Sequence, residues 1–278
     1  MDDRMKPGLY IVATPIGNLG DLSPRAAETL RNADLVLAED KRVSAKLLAH
    51  SGSKARMAVY HDHSSEADRD AILARLAHEV VALVSDAGTP LISDPGYKLV
   101  RAARQAGHSV YTIPGPSAVI AALSIAGLPT DRFLFAGFLP TKAKARGDTI
   151  AELRGVRATV IFYESGPRLG ETLAALHEGL GPREAAVARE ITKLHEECVT
   201  GTLTELAARY GDAPPRGEIV IVVGPPPEPE PSSDDELDRT LRDALERTSP
   251  SRAAAEVAEL LGIPRKRAYA RALELSSE

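Results

Sequence analysis

The run Val80-Val81-Ala82-Leu83-Val84 is short, wholly apolar and rich in β-branched residues. It fits a strand covered on both faces, as in a parallel sheet. It stops in Ser85-Asp86-Ala87-Gly88-Thr89-Pro90-Leu91-Ile92-Ser93-Asp94-Pro95-Gly96, a stiff loop with exposed N–H groups and carboxylates that leaves the carboxyl end of the strand. In open α/β sheets, ligands bind in the crevice at that end. The close of the loop also reads as an ordinary helix start, with Asp94 near the cap and Pro95 in the first turn.

The same grammar recurs along the chain. Leu9-Tyr10-Ile11-Val12-Ala13 reads as a strand ending in Thr14-Pro15-Ile16-Gly17-Asn18-Leu19-Gly20-Asp21, and Ser23-Pro24 marks the next helix. This glycine turn is neither the dinucleotide fingerprint nor a P-loop, so a nucleotide phosphate is a poor candidate ligand. Residues 34–38 form a second strand with Glu39-Asp40-Lys41-Arg42 at its exit, either solvated charges or a polar wall of the crevice. Helices are expected over 64–78, 97–106 and 118–126, and a strand over 109–113 that ends in Pro114-Gly115-Pro116-Ser117-Ala118. Ser117 lacks a nucleophile elbow and suits a helix cap. His61-Asp62-His63 reads as a surface turn, since it has no third ligand at metal spacing.

Gly127-Leu128-Pro129 reads as a hinge into a second half with strands at 133–138, 159–163, 185–189, 199–202 and 217–223. Between the first two lies the basic segment Lys142-Ala143-Lys144-Ala145-Arg146, a helix or loop surface that could also touch phosphate. Strand alternating with helix gives an α/β protein: residues 1–127 and 128–224 as two α/β domains around one cleft. Residues 225–235 read as a Pro-rich charged linker and 236–278 as a small all-α module of three helices. The last two helices resemble a helix-turn-helix, with Arg265, Lys266 and Arg267 placed to meet phosphates.

The net charge of −5 gives no global pull towards nucleic acid, so such contact must be local. One cysteine, Cys198, excludes an internal disulfide and a cysteine zinc site and suits a reducing cytoplasm. No apolar stretch reaches the ~18 residues of a membrane span, and Met1-Asp2-Asp3-Arg4-Met5-Lys6-Pro7 carries no signal core.

Taken together, Pro15 to Asp21, Glu39-Asp40 with Arg42, Ser85 to Gly96, Pro114 to Ala118, Tyr163-Glu164-Ser165 and Thr192-Lys193-Leu194-His195-Glu196-Glu197 resemble the tetrapyrrole-methylase superfamily. Within it they are most similar to the bacterial small-subunit ribosomal RNA (cytidine-2′-O)-methyltransferases. The resemblance implies S-adenosyl-L-methionine as cofactor, small-subunit ribosomal RNA as partner, a homodimer, and neither metal, membrane nor DNA. It places the cofactor against Pro15, Asp86, Ala87, Gly88, Thr89, Ile92, Ser117 and Ala118, with Glu164 and Thr192 from the second half. Glu39, Asp40, Glu164, Glu190, Lys193, His195 and Glu196, all at strand exits, are candidates for base or positioning roles. Arg42, Arg168, Arg265, Lys266 and Arg267 are candidates for RNA contact. Lys41 and Val43 stand where the family pattern has Thr and often His, and Gly166-Pro167 replaces Pro-His before Arg168. No role at those two histidine places carries over. Two other readings use the same residues: a methyltransferase acting on a small tetrapyrrole, and a ribosome-assembly protein with a vestigial cleft.

Overall fold

The computed structural model describes residues 5–61, 63–211, 215–227 and 234–276. The chain divides into two compact units, Met1–Pro226 and Pro227–Glu278.

The larger unit holds two sheets. The first is built from β1 (Gly8–Val12), β2 (Leu35–Ala38), β3 (Arg56–Val59), β4 (Val80–Leu83) and β5 (Val110–Ile113), all parallel in the order β3-β2-β4-β1-β5. Alternate residues feed two cores, as the period-2 geometry of a strand demands. Val12, Val36, Ala38 and Ala82 pack with α1 (Pro24–Asn32) and α2 (Lys41–Ser51). Leu9, Leu35, Leu37, Val81 and Leu83 pack with α3 (Glu66–Leu76) and α4 (Tyr97–Gln105). Both faces are covered, which explains the uninterrupted apolar runs.

The second sheet is mixed. It contains β6 (Phe133–Phe138), β7 (Thr159–Ser165), β8 (Glu184–Arg189), β9 (Glu197–Thr202) and β10 (Glu218–Val223), ordered β6-β7-β10-β8-β9. Only β6 and β7 run parallel; the other pairs are antiparallel. One face packs on α6 (Ala143–Leu153), α7 (Leu169–Leu180) and α8 (Leu203–Tyr210). The other face packs on α5 (Ala118–Ile125), which follows β5 of the first sheet and buries Val119, Ala122 and Leu123 against Ile161, Val220 and Val222. This one helix ties the two sheets together.

Several local expectations are corrected. Asp94 is not a cap: α4 begins at Tyr97 after Gly96, whose φ of 135° a side chain rarely adopts and whose Cβ would lie 2.7 Å from Leu83. Lys41 and Arg42 are the first turn of α2, with the Asp40 carboxylate accepting from Arg42 N at 2.8 Å. Arg146, in the basic segment, is buried and paired with Glu171 rather than offered to phosphate. Ser117 stands at the cap of α5 but makes no capping hydrogen bond.

The smaller unit contains α9 (Asp234–Leu245), α10 (Pro250–Leu261) and α11 (Arg265–Leu275) around Leu237, Leu241, Val257, Ala268 and Ala272. The first helix starts at Asp234 rather than at residue 236, because Asp234 and Asp235 are favourable charges for a helix amino end. Gly262, at φ 62°, closes α10 and turns the chain into α11. Residues 228–233 of the expected linker, and Asp62 of the His61–His63 turn, lie outside the described residues. No helix among the described residues is long and apolar enough to cross a membrane.

The Gly166-Pro167 departure has a steric reason: a Cβ at Gly166 would sit 1.7 Å from the Pro215 carbonyl oxygen. Gly166→Ala is expected to lose about 1–3 kcal/mol of stability, read as a lower urea midpoint; an unchanged midpoint would contradict this packing.

Candidate active site

Three loops at the carboxyl ends of β1, β4 and β5 are laced together by their backbones. Thr14 N donates to Gly88 O at 2.8 Å and Gly88 N returns to Thr14 O at 3.1 Å. Thr89 Oγ1 donates to Pro116 O at 3.0 Å. Gly115 lies so near β1 that a Cβ there would meet Ala13 Cβ at 3.0 Å. Within the central loop Leu91 and Ser93 hold φ values of 75° and 63°. Left-handed non-glycine residues cost on the order of 1–3 kcal/mol each and persist where surrounding structure over-determines them, as in ligand clamps.

The second half answers with the loop from Glu190 to Glu196, where Glu190 and Thr192 are also left-handed, at φ 49° and 67°. Asn18 N, from the first loop, donates to Thr192 Oγ1 at 3.1 Å. Gly17 fits beneath it because a Cβ would lie 2.7 Å from Lys193 Cγ. The two halves therefore meet at a glycine that cannot be enlarged without displacing Lys193.

Between them lies a cleft of about 280 Å³, at the lower end of the ~300–1,000 Å³ usual for small-molecule sites. Its charged lining is Asp86, Asp94, Glu164, Glu190 and Glu218 with Lys193. Lys193 Nζ pairs with Glu190 at 3.1 Å. Glu164 is buried and satisfied: it accepts from Ser165 N at 2.8 Å and from Thr172 Oγ1 at 2.7 Å, beside Arg168 at 3.4 Å. Asp94 is different. Burial pushes its carboxyl up to about 6, with Glu39, Asp86 and Glu218 adding to the rise and a hydrogen bond with Ser85 opposing it. Burial, with Asp94 nearby, also pushes the Tyr163 phenol up to about 12, so it stays protonated.

Nine of the residues expected at the site line this cleft: Asp86, Ala87, Thr89, Ile92, Ser117, Ala118, Glu164, Glu190 and Lys193. Pro15, Gly88 and Thr192 stand behind it in the loop framework, Pro15 buried and the other two in the hydrogen bonds just described. Glu39 acts on Asp94 through its charge. Asp40 is engaged by Arg42 at 2.7 Å, whose hydrogen bonds hold its carboxyl down to about 2. Glu196 accepts from Thr192 N at 2.5 Å, and His195 is exposed outside the lining. Arg168 donates to Leu139 O at 2.9 Å, fixing the end of β6. In the smaller unit Arg265 reaches Ser251, Arg267 pairs with Asp234 at 2.9 Å, and Lys266 is exposed. Among the described residues no group of three side chains could hold a metal.

Asp94, Phe138, Tyr163 and Glu218 also line the cleft and were not among the expected site residues. Tyr163 and Glu218 stand at strand ends, the place where side chains gather, and that was the available signal. Because Asp94 keeps its proton to a higher pH folded than unfolded, it favours the folded state below the usual aspartate range, and that gain is lost as pH rises through about 6. Carboxyl NMR is expected to show one aspartate titrating near pH 6 that Asp94→Asn removes; aspartates all titrating at their ordinary value would contradict the burial.

The family model described as Tetrapyrrole (Corrin/Porphyrin) Methylases matches residues 8–207, and the one described as RsmI C-terminal HTH domain matches residues 231–276. The chain is 56% identical over 275 residues to the ribosomal RNA small subunit methyltransferase I of Erythrobacter litoralis, covering 99% of this chain and 98% of that one. Against the protein of the same name from Escherichia coli O157:H7 it is 44% identical, over 98% and 96% of the two chains. Among solved structures, diphthine synthase is similar in fold with a TM-score of 0.61 at 16% identity, over 78% of this chain and 89% of that one. A uroporphyrin-III-C-methyltransferase from Thermus thermophilus gives 0.56 at 24% identity, over 78% and 93%. With its two linked sheets, the cleft between them and full-length likeness to these relatives, the chain belongs to the tetrapyrrole methylases, in the family of the ribosomal RNA small subunit methyltransferase I proteins.

Proposed function

We propose that this protein transfers a methyl group from S-adenosyl-L-methionine to the 2′-hydroxyl of a cytidine in small-subunit ribosomal RNA. The observation that carries the chemistry is a cleft between two interlocked halves, lined by carboxylates and containing one half-buried aspartate that is not tied up by a cation. The relatives' names carry the choice of RNA.

The lining fits the cofactor. Asp86, Asp94 and Glu218 suit a ligand with positive charge, and Ala87, Thr89, Ser117 and Ala118 bring backbone groups and small side chains to its wall. No Gly-Lys phosphate cradle competes. When bound, S-adenosyl-L-methionine supplies an electrophilic methyl group on a sulfonium. The protein's own work is alignment and proton removal. Asp94, ionised above about pH 6, takes the hydroxyl proton. Tyr163, kept protonated, stands in the same wall. Glu190 and Lys193 neutralise each other at the wall and keep that loop in place.

Residues 1–127 and 128–224 act as the two halves of the enzyme and the helices from Asp234 onwards as a module for RNA contact. In that module Arg265 and the exposed Lys266 at the amino end of α11 are the residues offered to phosphate, while Arg267 is partly engaged by Asp234. Two copies pair through the apolar surface that α5 leaves open: Ile120 is 52% and Ile125 43% exposed on a helix whose one polar residue is Ser124. The enzyme works in the cytoplasm, where the ribosomal subunit is.

Labelled methyl transfer from S-adenosyl-L-methionine to small ribosomal subunits tests the reading. The full chain is expected to place label on a cytidine ribose, located by nuclease digestion, and a chain ending at Val223 to place much less. Cofactor binding with no label on RNA would overturn it.

A further inference from the structure

Phe138 lines the cleft and is nevertheless 57% exposed. Its position is built. Where β6 pairs with β7 the register slips between Phe135 and Gly137, leaving Ala136 as an extra residue, and Gly137 takes a φ of 69°. Such a bulge bends the strand and re-aims the side chain that follows. Phe138 then sits opposite Tyr163, ring centroids 5.5 Å apart and planes at 61°. Phe135 meets the same tyrosine at 4.8 Å, so Tyr163 is braced from both sides of the bulge. The next residue, Leu139, is buried, and its carbonyl is fixed by Arg168 at 2.9 Å. The side chain is thus held in place on a residue that is more than half exposed at the edge of the site.

We infer that Phe138, braced by Tyr163, is the platform on which the unpaired base of the acceptor nucleotide stacks. The inference rests on the RNA-methylation reading above. An aromatic face held at the mouth of a cleft matches the way proteins take up splayed-out bases, by stacking. Its neighbourhood suits a polynucleotide: exposed Lys142 and Lys144 follow it in the chain. Lys142 also stands at the cap of α6 without a side-chain capping bond, so the first N–H groups of that helix remain available to a phosphate. A base has two sources in this reaction, the acceptor nucleotide and the adenine of the cofactor. The mouth position favours the acceptor, because the small-residue and backbone-rich wall at Ala87, Thr89, Ser117 and Ala118 lies on the loops of the first half.

The chain contains no tryptophan, so Phe138→Trp gives a single fluorescent reporter. Its emission is expected to stay unchanged on adding S-adenosyl-L-methionine and to be quenched when a cytidine-containing single-stranded oligoribonucleotide follows. Quenching by the cofactor alone would assign the platform to adenine and overturn the proposal. In parallel, cofactor-loaded Phe138→Leu is expected to bind small ribosomal subunits roughly tenfold more weakly, with a matching rise in KM, little change in kcat and unchanged cofactor affinity, while Phe138→Tyr stays close to the parent. Unaltered subunit binding and KM in Phe138→Leu would overturn the proposal even if the parent enzyme methylates RNA. Failure of the parent to label any RNA would instead remove the reading on which the proposal stands.

Discussion

A cleft between two sheets has a defined shape only if the loops that wall it are held at fixed separation, and here that separation is set at Gly17, Asn18, Thr192 and Lys193. The bond from Asn18 N to Thr192 Oγ1 is exposed and modest by itself. Its effect comes from what it joins: a first loop laced to the central loop through Thr14 and Gly88, and a second loop whose Glu190 and Thr192 are held left-handed. Helix α5 adds the apolar part of the same connection, leaving the first sheet in sequence and packing on the second in space. Without both contacts the loops of the first half and the carboxylates of the second half would not face one space.

The electrostatics follow from that closure. Burial of Asp94 at the lining is the main reason its carboxyl is pushed up, and the nearby charges of Glu39, Asp86 and Glu218 add to the rise. Asp40, one element away, shows the opposite outcome, since Arg42 reaches it in open solvent. The two aspartates have the same chemistry and opposite roles. One stabilises a helix start and is held down to about 2, whereas the other is pushed up to about 6. A lining with this excess of carboxylates suits a positively charged ligand.

Much of this was legible in the sequence. The strands of the first sheet that are buried on both faces announced themselves as apolar runs, and their loops as Gly-Pro-Ser-Asp clusters. β3 did not, because it is an edge strand with Arg56 and Val59 exposed and no continuous apolar run. α2 was hidden by its charged first turn, although Asp40 at one end and Gly52, at φ 74°, at the other are proper start and stop signals. The site showed the same division. Ala87, Thr89 and Ser117, which line the cleft from its loops, were singled out through the family resemblance. For Asp94 one of two readings was a helix start, because Asp-Pro-Gly before a helical pattern is the local signature of one. Its real environment is made by Glu39, Glu218 and Tyr163, which no local pattern brings together. Phe138 needed the bulge at Ala136, a feature of strand pairing rather than of the strand itself.

The role proposed for Asp94 as proton acceptor is tested most directly by the single-turnover rate of methyl transfer against pH for the parent chain and for Asp94→Asn. The parent rate is expected to rise with pH along an acid limb set by Asp94, drawn below about 6 by the positive charge of the bound cofactor, and then level. Asp94→Asn is expected to be slower by roughly 10²–10⁴-fold, without that acid limb and with cofactor affinity retained. A variant that keeps the parent rate, or keeps the same acid limb, would contradict the account.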